Sequence, residues 1–190
     1  MEILSQYGEY ILYSLVILLI IKSIFSLKIE EHHSHWNTLI DNFNFSSKEF
    51  YTLLKQELNE QGVAGIVIDN VRLKEGNIFS SRRWYLRVTW KEYQYDICAA
   101  PFGKGFFLSW WLLYKNSLLQ ILILKIPFIG FWLQKKLFPT TYYKIDTASM
   151  FMSYAQQSVL NVLDNIATTK GIRMLNTDER KPILNSVFKR

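Results

Sequence analysis

A single cysteine, Cys98, serves all 190 residues. That excludes an internal disulfide and any zinc or iron–sulfur site built from four cysteines. Proline and glycine are scarce, and neither occurs between Glu9 and Phe45, so no residue there forces a turn. The N-terminus lacks the basic start of a secretory signal peptide. It opens on Glu2 and Glu9, and no A-x-A site follows the first apolar run. Gly103-Lys104 lacks the spacing of a P-loop and the Ser or Thr that would follow it. What the chain has in quantity is aromatic surface, 16% of residues with six Trp. Such a composition argues against disorder and for rings packed in a core or against lipid.

Net charge is +6, unevenly spread. Residues 1–31 carry a net −2, residues 32–105 a net +1 and residues 106–190 a net +7. Anionic lipid and nucleic acid both attract such a C-terminal excess, and the apolar runs beside it favour lipid.

Residues Tyr10 to Leu27 are apolar on every face, with Lys22 as their only charge. As a helix, eighteen residues reach about 27 Å, close to the hydrocarbon thickness of a bilayer. Tyr7, Tyr10 and Tyr13 sit at one end, and Lys22 near the other can snorkel to the headgroups. The reading is an N-terminal transmembrane anchor, residues 1–28. Lys22 and Lys28 sit at the C-terminal side of the span and no Lys or Arg precedes it, which places the remaining chain in the cytoplasm by the positive-inside rule.

Beyond the anchor, Trp36, Leu39, Ile40 and Phe43 recur at helical spacing, giving a juxtamembrane helical stalk over residues 29–45. An α+β domain over residues 46–185 follows. Ser46-Ser47-Lys48-Glu49 has the form of a capping box and opens a helix carrying Phe50, Leu54 and Leu58, which Gly62 ends. Residues 66–73 read as a strand with a bulge or bend near Asp69-Asn70. Trp84, Leu86, Val88 and Trp90 alternate with polar residues, as do Tyr93, Tyr95, Ile97 and Ala99, and Lys91-Glu92 between them suits a tight hairpin. A last helix holds Ala148, Phe151, Met152, Ala155, Val159, Val162, Leu163 and Ile166 on one face, with Asp146 or Thr147 as its cap and Lys170-Gly171 as its end. The fold expected is helix, three or four antiparallel strands, helix, with the helices on one face of the sheet.

Leu118 to Leu133, LLQILILKIPFIGFWL, is too apolar for a solvated loop. The strands before it and the helix after it belong to one core, so a single crossing of the membrane would separate them. The segment must return to its starting side. We read residues 106–138 as an apolar insertion that touches the membrane from one side; a buried core helix and a second span are the alternatives. The residues expected to meet lipid are Trp110, Trp111, Lys125, Ile129, Phe131, Trp132, Lys135 and Lys136, a mixture typical of interfacial segments.

The strings DICAAPFG (residues 96–103), FFLSWW (106–111), IPFIG (126–130), TYYKIDTA (141–148) and ERKPIL (179–184) together resemble an uncharacterised family of bacterial membrane-associated proteins. The resemblance covers roughly residues 35–185. It implies a bacterial inner-membrane setting and no particular activity.

No set of residues commits the chain to a reaction. His32 and His35 could share a helix face as half of a metal site, but no second cluster completes it, and a polar stalk is the simpler reading. Cys98 reads as a small, buried cysteine rather than a nucleophile. Arg82, Arg83 and Arg87 alternate with Trp84 and Tyr85 as any half-buried strand would, so nucleic acid is not expected as a partner. The function expected is a membrane-anchored, non-enzymatic binding or assembly module that needs no cofactor or metal and has the bilayer and a protein as partners. Alternatives are a small subunit or effector of a bacterial secretion, envelope or defence machine, and a membrane-bound hydrolase or transferase acting on lipid.

Overall fold

The structure is a computed structural model and describes residues 10–11, 13–15, 30–74, 82–126 and 128–184. The expected anchor falls largely outside the described residues; 10–11 and 13–15 within it are helical. Among the described residues no helix is long and apolar enough to cross a membrane.

The chain divides into two compact units, Glu30–Lys115 with Thr140–Arg190, and Met1–Ile29 with Asn116–Pro139. The larger unit is α+β. Its strands are β1 (Glu30–Ile40), β2 (Val67–Lys74), β3 (Arg82–Trp90), β4 (Tyr93–Phe102), β5 (Gly105–Lys115) and β6 (Ile183–Leu184). Every pairing is antiparallel, in the order β2-β3-β4-β5-β1-β6. Helix α1 (Ser47–Glu60) follows β1. Two short helices of the other unit, α2 (Leu118–Leu124) and α3 (Gly130–Leu137), follow β5, and α4 (Tyr142–Lys170) precedes β6.

The helical stalk expected over residues 29–45 is corrected to a strand. Trp36 and Ile40 are four apart, an even spacing that puts both on one face of a strand as readily as on one face of a helix. The odd residue decides between them: Leu39 is 41% exposed, while Trp36 and Ile40 are buried. β1 pairs along β5 from Glu30↔Lys115 to Ile40↔Phe106, and a bulge between His32 and Ser34 shifts the register. The domain therefore starts at β1 rather than at residue 46, and its sheet has six strands rather than three or four. β6 is held by two residue pairs only, Ser34↔Leu184 and His35↔Ile183, too short a run to show an alternating pattern.

Smaller corrections share one cause, the influence of neighbours on local pattern. The bulge expected at Asp69-Asn70 is absent, and β2 pairs with β3 in unbroken register from Val67↔Thr89 to Lys74↔Arg82. None of its eight residues is buried, so two consecutive polar side chains disturb nothing. Helix α4 begins five residues earlier than an Asp146 cap would give, at the cap Thr141, whose hydroxyl accepts from the Lys144 N–H. The insertion set at 106–138 shortens to 116–139, because residues 105–115 are the central strand β5.

Other expectations match the structure. Ser46 caps α1 by accepting from the Glu49 N–H, and Gly62 follows its end at φ 64. Gly171, at φ 65 in the left-handed region, stops α4. Val159 and Leu163 are buried in the core, as are Phe151 and Ala155.

α1 and α4 pack on one face of the sheet. Phe50 of α1 meets Phe106, and Phe151 of α4 meets Tyr95 edge-on; Phe106 and Tyr95 point to the same side of the paired strands β4 and β5. The two helices also lean on each other, the Tyr154 hydroxyl donating to the Leu58 carbonyl and the Asn161 amide to Glu57. At the centre Tyr95 stacks on Trp110 with centroids 4.7 Å apart, both fully buried. Gly105, at the start of β5, is required by close approach: a Cβ there would lie 2.8 Å from the Ile40 carbonyl oxygen.

The Tyr95 hydroxyl and the Trp110 indole N–H have no hydrogen-bond partner among the described residues. A buried, unpaired hydroxyl costs about 1–3 kcal/mol of desolvation. Tyr95→Phe keeps the stack and removes that cost, so urea unfolding should show stability unchanged or raised. A loss above about 1 kcal/mol would mean the hydroxyl is paired in solution.

Candidate membrane-contacting unit

Residues 116–139 carry three lysines and no carboxylate. Ser117 and Gln120 open α2 with a reciprocal capping box, the Ser hydroxyl accepting from the Gln120 N–H and the Gln side chain accepting from the Ser117 N–H. The chain reverses between α2 and α3, with Phe128 at φ 64, and α3 packs back against α2. Gly130 makes the return possible, since a Cβ would collide with the Ile123 and Leu124 carbonyl oxygens. The segment is thus a helical hairpin. Seven and eight residues give helices of about 10–12 Å, far short of a bilayer's hydrocarbon core.

The hairpin's surface departs from that of a soluble helix pair. An amphipathic surface helix buries an apolar stripe and shows its polar side to water. α3 buries only Gly130. Phe131 and Trp132 are 66% and 60% exposed, Ile129 is 54% exposed, and Phe128 at the tip is wholly so. In α2, Ile121 and Ile123 are buried while Leu118 and Leu119 face outward. Lys135 and Lys136 lie one turn beyond the two rings, their ammonium groups 4.8 Å from the Phe131 centroid and 5.0 Å from that of Trp132. Apolar bulk, indole and ammonium so combined are the makings of an interfacial helix.

Of the residues expected to meet lipid, Lys125, Ile129, Phe131, Trp132, Lys135 and Lys136 fall in this hairpin, all exposed. Trp110 is corrected: it is 0% exposed and sits at the centre of the core, because its place in β5 points it at the helices. Trp111 lies on the opposite sheet face in the other unit, 37% exposed, with His35 stacked on its ring at 4.8 Å and His32 edge-on at 5.3 Å. The return of the segment to its starting side, expected from connectivity, takes the form of a hairpin of two short helices.

The remaining candidates gather on the sheet face opposite α1 and α4. Asp96 accepts from Arg87 through both oxygens at 2.8 Å and from the Gln94 amide at 3.1 Å. Cys98 is fully buried beside Arg83, Tyr85 and Ser109, and burial pushes its thiol up from the ordinary value. A raised thiol holds less thiolate, the opposite of an activated nucleophile. The bulge in β1 brings His32 and His35 to one ring rather than one helix face, and His33 turns inward between Tyr93 and Tyr114. Among the described residues no three His, Cys, Asp or Glu side chains are grouped to hold a metal ion. Comparison with protein-family models and with curated proteins finds no match to this chain.

The thiol gives a direct check. Native protein should leave Cys98 unmodified by a thiol reagent that labels it fully in denaturant. Rapid labelling of the folded chain would mean that the sheet opens at β4 or that the thiol is more acidic than its burial implies.

Proposed function

We propose that the chain is a membrane-tethered, non-enzymatic binding or assembly module. The N-terminal apolar run is its anchor, and the α2–α3 hairpin is a second lipid contact made from one side. The observation that carries this reading is the outward display of Phe128, Ile129, Phe131 and Trp132 beside Lys135 and Lys136. Burying each large side chain contributes about 1.5–3 kcal/mol, and each lysine at an anionic surface about 1 kcal/mol. Single exposed apolar residues are ordinary, but a contiguous set marks an interaction surface. Here the lysines and the absence of any carboxylate favour a negatively charged lipid face over a protein partner.

The α+β domain is the part that would meet a protein partner, on the cytoplasmic side if the Lys22 and Lys28 bias sets the orientation. Its ionisable groups support a binding rather than a catalytic role: Asp96 is held by Arg87 and Gln94, and the one thiol is buried and raised. A bacterial inner membrane is the setting that the resemblance of residues 35–185 suggests.

A chain lacking residues 1–28 keeps all six strands and isolates the second contact. It should sediment with anionic vesicles, and salt should weaken that binding without abolishing it, because apolar insertion survives screening. Replacing Ile129, Phe131 and Trp132 with Ser should release the protein to the supernatant. A truncated chain that ignores vesicles would end this reading, as would a triple variant that sediments as well as its parent.

A further inference from the structure

A groove of about 430 Å³ lies between α1 and the outer end of the β2–β3 hairpin. Its volume falls in the range of small-molecule sites, about 300–1,000 Å³. One wall is a stripe of α1, where Lys48, Tyr51, Thr52 and Lys55 follow one another at helical spacing. The other wall is Asn70 of β2 and Trp84 of β3. Trp84 is 53% exposed although it sits on the core side of β3, and the Tyr51 hydroxyl of α1 donates to its carbonyl at 2.9 Å.

Among the described residues the charge beside Trp84 is positive. Arg72 pairs directly across from Trp84 in the sheet, and its guanidinium stands 5.5 Å from the indole centroid. The same register sets Lys74 and Arg82 on the same sheet face. Among the described residues no carboxylate lines the groove. Among the described residues none of Lys48, Lys55 and Arg72 forms an ion pair with Asp or Glu. Like charges gathered on one surface repel one another, and an anionic ligand relieves that repulsion.

The polar groups add shape to the charge. Two ammonium groups on one wall and the Asn70 amide on the other offer donors to an anion with several acceptor oxygens, while the Thr52 hydroxyl is already donated to the Lys48 carbonyl. Trp84 adds a flat apolar face, already backed by Arg72, of the kind on which a planar ring stacks. We infer that this groove binds a nucleotide-sized phosphate ester, its planar base against Trp84 and its phosphate between Lys48 and Lys55. All the residues that line the groove belong to the larger unit.

Calorimetric titration of the full chain in detergent tests it, with adenosine and guanosine 5′-mono- and diphosphates as probes. Adenosine, ribose 5′-phosphate and inorganic phosphate serve as controls. At least one nucleotide should bind saturably at one site per chain, and each control about tenfold or more weaker, since base stacking and phosphate pairing each supply part of the affinity. Trp84→Ala and the double variant Lys48→Ala/Lys55→Ala should each weaken binding about tenfold or more. Trp84 and Lys48 are exposed and Lys55 is half-buried, and circular dichroism with thermal unfolding confirms that the variants fold. Absence of saturable binding by every nucleotide would overturn the inference. Ribose 5′-phosphate or inorganic phosphate binding as tightly as the nucleotide would also overturn it, as would variants that bind like their parent.

Discussion

One constraint organises the molecule: β5 and α4 share a core, and the chain between them must leave that core and come back. β5 supplies Phe106, Leu108, Trp110 and Leu112 to the interior, and α4 supplies Phe151, Ala155, Val159 and Leu163. The 24 residues that join them, Asn116–Pro139, therefore start and finish at the same body. A single crossing of a bilayer is incompatible with that connectivity. A hairpin satisfies it, and the backbone supplies one through the reversal at Phe128 and the close approach at Gly130.

That constraint gives the hairpin's surface its meaning. The apolar residues of 116–139 exceed what two short helices can bury against each other, so Phe131 and Trp132 remain outside with Lys135 and Lys136 beside them. In water this arrangement is unfavourable, by about 1.5–3 kcal/mol for each large side chain left uncovered. In a lipid interface the same side chains are matched on both counts, ring to acyl chain and ammonium to phosphate. The rest of the domain needs no lipid to explain it. Its interior is filled by aromatic pairs such as Tyr95–Trp110, and the sheet face opposite α1 and α4 is organised by the Arg87–Asp96 pair and the imidazoles on Trp111.

Much of this was legible from residue pattern, and the misses have physical causes. β3 and β4 were clear because alternation in a half-buried strand is decided by the strand's own residues. The α4 face was clear because a long helix repeats its stripe many times. β1 was misread because Trp36 and Ile40 satisfy both periods, and only the pairing with β5 breaks the tie. β6 is two residues long, so tertiary contacts alone define it: the Trp36 indole N–H donates to the Glu179 carbonyl at 2.6 Å and the Ser34 hydroxyl to the Ile183 carbonyl at 2.9 Å. In the candidate site, composition found the hairpin residues but misplaced Trp110, because composition does not say which way a strand residue points. The groove at Trp84 was invisible in the chain order, since α1 and β3 meet only in the fold.

The central claim is that the hairpin's outer surface lies among lipid acyl chains. Fluorescence of the full chain in vesicles whose acyl chains carry bromine tests it most directly, with Trp132→Phe as the reference that subtracts the other five indoles. The account predicts that the emission lost on mutating Trp132 is blue-shifted and strongly quenched by bromine. Equal quenching of the parent chain and Trp132→Phe, with the Trp132 emission that of an indole in water, would contradict it.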